Sequence, residues 1–229
     1  RICKIKLFMY DIKIRYLASI FVDAENILQK PKIISDLVGV LKDERLFPIM
    51  GQEQTPNGIK TRIAFSSPDR EWQFFLRGTR FDFMRLPTNS DSQKLGNFYE
   101  FCQEAKTKFI AVLKYFNLKV NRLAGVQEGL LEEMNKDDLN NIALNLFKFP
   151  KTFQEVLPFE WDWRLVSSLE RDCFSIKLKT NTITTIKRIH GKFVNIDEPE
   201  GKDLDRIRID FDINTSNDLN LDFGENDIR

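Results

Sequence analysis

The sequence predicts an α+β fold: a largely antiparallel sheet, or two such sheets, with a long helix packed on one face. Three observations carry this reading. Arg206–Ile213 alternates strictly, with Ile207, Ile209, Phe211 and Ile213 on one side and Arg206, Arg208, Asp210 and Asp212 on the other, as in an antiparallel strand with one solvated face. The same two-residue period recurs at Asp11–Val22 and over Ile59–Leu86. Between these stretches, apolar residues fall at steps of three and four, which is helical spacing.

In chain order, Ile12, Ile14, Tyr16, Ala18, Ile20 and Val22 share a face of the opening strand. Pro31 stands where a helix can begin, and Ile33, Ile34, Leu37, Val38 and Leu41 recur at helical spacing. That helix stops before Pro48, and Gly51–Gly58 reads as a loop. Three strands follow, with turns at Ser67-Pro68-Asp69 and at Gly78. Asn97 with Glu100 three residues later fits a capping box. It opens the longest helix, to about Phe116, whose stripe includes Leu95, Phe98, Cys102, Ala105, Phe109, Val112 and Phe116. Ile110 and Leu113 widen the stripe, which favours packing on a sheet over a coiled-coil seam.

Val120–Leu131 reads as a strand that Gly125 and Gly129 weaken or bulge. Asp137-Asp138 opens a short helix carrying Leu139, Ile142, Ala143 and Leu146, ending before Pro150. Strands are expected at Glu160–Leu169, Phe174–Leu178 and Thr182–His190, the last two joined around Asn181, before the Arg206–Ile213 strand. The order divides into halves of similar layout, residues 1–118 and 119–229, with one continuous domain as the alternative. No residue-level repeat accompanies it.

With 20 Phe in 229 residues the chain can bury a substantial core. It begins at Arg1 rather than Met, which reads as a fragment or a trimmed product, so a removed leader stays open. No apolar run reaches the ~18 residues of a membrane span, so no membrane partner is expected. Cys3, Cys102 and Cys173 form no CxxC pair and read as reduced thiols of a cytoplasmic protein.

Chemistry is mostly excluded. His190 is the sole histidine, so no multi-histidine metal site exists. Asp69 and Glu71 lack the lysine a metal-dependent nuclease pattern would place two residues on, and Glu104–Lys106 has that spacing on a helix. Asp210, Asp212 and Asn214 begin like a calcium loop, but Thr215 and Leu221 stand where Gly and Glu are needed. No GxxxxGK[ST] or GxGxxG is present. No metal, cofactor or catalytic residue is therefore expected.

Binding features remain. Trp161 and Trp163 share a strand face and read either as core or as a contact for a partner protein. Residues 195–229 hold eleven acids against four bases, a charge of −7, so the net +1 leaves +8 on the remainder. Just before them lie Lys177, Lys179, Lys187, Arg188 and Lys192, on what reads as a basic strand pair. Neighbouring ladders could neutralise each other. A nucleic acid could instead use these cations together with Phe81 and Phe83, two strand aromatics beside Arg80; the plainer reading packs both rings beneath a helix.

The element order, with Phe81-Asp82-Phe83-Met84-Arg85-Leu86 before the helix at Asn97, Arg122-Leu123-Ala124-Gly125 after it and Ile207–Ile213 near the end, resembles a sporadically distributed prokaryotic family without an assigned function. The resemblance spans roughly residues 10–215, and the family's closing helix has no counterpart here. The order also looks like two copies of a SecB-like chaperone layout. The resemblance implies a cytoplasmic bacterial protein in an accessory or defence locus, working by binding. The reading reached is a non-enzymatic binding or assembly module, oligomeric or part of a complex, with nucleic-acid binding as the alternative.

Overall fold

The computed structural model describes residues 10–30, 32–55, 58–88, 95–153, 155–173, 176–195 and 198–216. The strands are β1 Ile12–Val22, β2 Phe47–Thr55, β3 Gly58–Ser66, β4 Trp72–Leu76, β5 Arg80–Arg85, β6 Val120–Leu130, β7 Trp161–Cys173, β8 Ile176–Asn195 and β9 Glu198–Thr215. The helices are α1 Glu25–Leu28, α2 Ile33–Leu41, α3 Phe98–Phe116 and α4 Lys136–Leu146. All nine strands form one antiparallel sheet in the order β2-β3-β4-β5-β1-β6-β9-β8-β7.

A single rung crosses the whole sheet: Pro48, Phe65, Phe74, Phe83, Ala18, Gly125, Ile213, Thr182 and Ser167 stand side by side, one from each strand. Directly opposed residues point to the same side, so this rung defines a Phe83 face. The neighbouring rung, through Asp82, Ser19, Ala124, Asn214, Asn181 and Ser168, defines the Asp82 face.

The main core lies on the Phe83 face. Phe101 of α3 stacks on Phe83 at 5.7 Å and on Trp72 at 6.3 Å, Phe109 meets Phe74 edge-on at 5.8 Å, and Phe98 meets Tyr16 at 5.2 Å. Phe74, Phe81, Phe83 and Phe101 are fully buried, each worth about 1.5–3 kcal/mol in removed apolar surface. Asn97 caps α3 by accepting the Tyr99 N–H at 2.7 Å. The helix ends where Asn117 takes φ 52° and the Leu118 N–H reaches the Leu113 carbonyl at 3.0 Å, a left-handed stop. A second cluster joins Leu131, Leu139 of α4, Ile207 and Ile209, with Trp161 and Ile186 against it.

Four local expectations change. Gly51–Thr55 is not a loop: it continues β2, whose polar Gln52, Glu53 and Gln54 pair with Thr61, Lys60 and Ile59 of β3 at a sheet edge, with Glu53 also accepting from Arg62 at 2.6 Å, while residues 56 and 57 lie outside the described residues. Phe174–Leu178 and Thr182–His190 are not two strands. From Ile176 on they form the single β8, which runs straight through Asn181 because β7 and β9 pair on either side of it, opposite Ser168 and Asn214; Phe174 lies outside the described residues. Ile12 and Ile14 do not continue the Tyr16 face. A bulge between Lys13 and Arg15, opposite Gly129 and Glu128, shifts the phase. Lys13 then donates to the Gly96 carbonyl at 2.6 Å beside the Tyr16 hydroxyl at 3.1 Å. Finally, the Arg206–Ile213 strand has no fully wet side, because Arg206 is buried and pairs with Asp11 at 2.7 Å and Glu133 at 3.0 Å.

Candidate interaction surfaces

Strand β7 ends the sheet. It pairs with β8 alone among the described residues, from Trp161 opposite Arg188 to Cys173 opposite Ile176. Its first residues pack: Trp161 meets Phe147 edge-on at 5.4 Å and joins the Leu139–Ile209 cluster, and Trp163 stands half-buried opposite Ile186. Beyond them the cover stops. Leu165 is 50 %, Val166 54 % and Leu169 56 % exposed, apolar on both faces of the strand. Unprotected apolar edges template pairing with another chain, and natural sheets usually blunt them. The Leu169 carbonyl accepts from Thr180 Oγ1 at 3.2 Å and so faces β8. By alternation, the peptide groups of Arg164, Val166, Ser168 and Glu170 face outward. At the other margin, β2 exposes Phe47, Ile49 and Met50.

The Asp82 face carries a charged network instead. Buried Asp82 accepts from Ser19 at 2.6 Å and pairs with Arg77 and Arg80, each at 3.0 Å. Glu128 sits between Arg15 and Arg208, and Arg208 also reaches Asp210 at 2.6 Å. Phe21 lies directly between Arg80 and Arg122 in the ladder, their guanidinium carbons 5.8 and 4.7 Å from the ring centre. Three strands distant in sequence build this Arg-Phe-Arg row, and no local pattern announces it.

The cations of the 174–193 stretch are not gathered into one patch. In the unbroken register of β8, Lys177, Lys179 and Lys187 point to the Asp82 face, while Arg188 and Lys192 point to the Phe83 face. Lys177 and Lys187 are ten residues apart, about 33 Å along a strand. Arg188 is 4 % exposed and gives Asp205 two bonds of 2.8 Å and Asn140 one of 3.0 Å. Those bonds hold the Asp205 carboxyl below its ordinary range. Lys187 lies 3.7 Å from Asp210, so β8 and β9 do neutralise each other at two points. Phe81 and Phe83 are 1 % and 0 % exposed. Neither ring offers a face to a base, which corrects the pairing of these rings with a nucleic acid.

The chemical candidates take structural places as well. Asp69 accepts from Ser67 and from the Glu71 N–H at 3.0 Å within a turn, and Glu71 pairs with Arg85 at 2.6 Å. Glu104 pairs with Arg45. Burial pushes the Cys102 thiol up to about 11, away from thiolate chemistry. His190 is exposed, its ring 6.0 Å from Phe159. Among the described residues no helix is long and apolar enough to cross a membrane.

No family model matches the chain, and no curated protein matches it. Among solved structures, it is similar to the rolling circle replication initiator protein from Geobacillus stearothermophilus, at a TM-score of 0.30 and 8% identity, over 90% of this chain and 74% of that one. A likeness at that level carries no argument about function.

Proposed function

We propose that the protein is a non-enzymatic binding or assembly module that engages a protein, a second copy or another chain, by strand addition at the β7 edge. The observation that supports this most is the apolar stretch Leu165, Val166 and Leu169 on an edge with outward peptide groups. Trp161 and Trp163 belong to this reading as the wall beside the edge, with Trp161 partly committed to the fold. The same proposal makes the chain a subunit of a cytoplasmic complex. It also treats residues 1–118 and 119–229 as two similar layouts on one sheet, the first carrying the long helix on one face. In each, the opening strand returns beside the last strand of a meander.

A photo-reactive amino acid in place of Val166, introduced in cells, tests the edge. Covalent adducts to protein are expected at Val166, and they should vanish in the Leu165→Lys/Leu169→Lys variant, which should melt within about 2 °C of the parent because both side chains are half exposed. Absence of adducts, or adducts indifferent to the lysines, overturns the reading.

A second reading, recognition of single-stranded nucleic acid, is favoured by the Arg80–Phe21–Arg122 row, which combines an aromatic platform with cations. It replaces the 174–193 set with residues of β1, β5 and β6. Fluorescence anisotropy with short single-stranded DNA and RNA at low and moderate salt would give binding that falls steeply with salt and drops at least ~10-fold in Arg122→Ala. No binding at low salt removes it.

A further inference from the structure

The β7 edge is complementary to itself in one register. We infer that two copies of the chain pair through β7 about a two-fold axis at Ser167, continuing the sheet from one copy into the next. This rests on the edge-binding reading above and names the occupant of the edge. An antiparallel pair of identical edges has its two-fold axis perpendicular to the sheet, so each face continues onto the same face of the partner. Residues directly opposed must then share a face, which allows only registers centred on a residue.

Centred on Ser167, Leu165 stands opposite the partner's Leu169 and Arg164 opposite the partner's Glu170, each contact occurring twice by symmetry. The two leucines project on the Phe83 face and the charge pair on the Asp82 face, as their β8 partners Thr184, Thr180, Thr185 and Lys179 require. Val166 meets the partner's Ser168. Both have outward peptide groups, so they form a hydrogen-bonded pair while Ser167 faces its own copy across a non-bonded one. One adverse pair arises, Asp162 against the partner's Asp172. Each stands beside a lysine of β8, Lys187 and Lys177.

Neighbouring registers lose these matches. Centred on Val166, the two valines meet and Trp163 meets the partner's Leu169, but Asp162 faces the partner's Glu170 and Arg164 faces a serine. Centred on Ser168, Arg164 still meets an acid, the partner's Asp172, but Val166 faces the partner's Glu170 and no apolar pair forms among Leu165, Val166 and Leu169. Of the three, only the Ser167 register joins opposite charges on one face to a leucine–leucine contact on the other.

Light scattering should give a mass of twice the chain's 26.9 kDa. Ser167→Cys should form a covalent dimer under mild oxidation, because non-bonded pairs hold their Cα atoms about 4.5 Å apart, within disulfide reach. Ser168→Cys should cross-link no more than the parent, which controls for Cys3, Cys102 and Cys173. Arg164→Glu and Glu170→Arg should each weaken association at least ~10-fold, and the double variant should restore it. A dimer with no Ser167→Cys cross-link and no charge-swap recovery overturns the register and leaves edge binding standing. A monomer at all concentrations whose Val166 probe still captures another protein overturns self-pairing alone. A monomer without adducts ends both.

Discussion

Asp43 and Asp205 are carboxylates that the folded state holds ionised through arginine. Hydrogen bonds from Arg45, at 2.8 to 3.1 Å, and from Lys108 hold Asp43 well below the usual carboxylate range, against the opposing pull of burial. Arg188 does the same for Asp205. Both folded values lie below the unfolded ones near 4. Their stabilisation is therefore fully present above about pH 4 and is lost as pH falls through the depressed values. Melting temperature followed by circular dichroism should hold a plateau near neutrality and decline below about pH 4. Asp43→Asn should lower the plateau and flatten the decline; an unchanged acid limb would show that the ion pair is not what acid breaks. The buried arginines belong to the same scale. Arg188 reads in sequence as a cation available to a phosphate, yet its donors are spent on Asp205 and Asn140, partners that one dimension does not bring near it.

At the scale of the element, β7 changes character along its length. Trp161 packs against Phe147 and α4, yet its indole N–H is buried without an acceptor among the described residues. Trp161→Ala should destabilise by about 2 kcal/mol, less than the 3–5 of a fully buried Trp, a fall of roughly 4–8 °C in melting temperature for a chain of this length. Trp161→Phe keeps the ring and removes the orphan donor, so it should melt within about 2 °C of the parent or above it. If the alanine variant melts like the parent, the tryptophan is a surface group after all. The strand itself was legible from its alternation, as were α2, α3 and α4 from their spacing and caps. What alternation does not report is which strands are edges. Gly51–Thr55 lacks an apolar face because at the sheet edge its pairing with β3 runs through backbone ladders and the Glu53–Arg62 contact rather than through burial. Asn181 resembled a turn because its lateral neighbours, opposite Ser168 and Asn214, are remote in sequence.

For the whole molecule, the two apolar clusters are unequal. The larger joins β1, β3, β4 and β5 to α2 and α3, while the smaller sits under α4 at β9. Hydrogen exchange should therefore be slowest at the amides of β1, β4 and β5 and fastest in residues 189–195 and 198–205, where, among the described residues, β8 and β9 pair only with each other. Uniform protection across the sheet would contradict this gradient. The sequence by itself determined the class of fold, the extents of β1, α2, α3, β6 and α4 and the absence of familiar catalytic motifs, because periodicity, caps and motif spacing are local and survive in one dimension. Only the tertiary structure decided that nine strands make one sheet, that Phe81 and Phe83 are core, that the cations of β8 split between two faces, and that Leu165, Val166 and Leu169 lie at an open edge. Each of these depends on which strand lies beside which, and strand order is set by contacts between residues far apart in the chain.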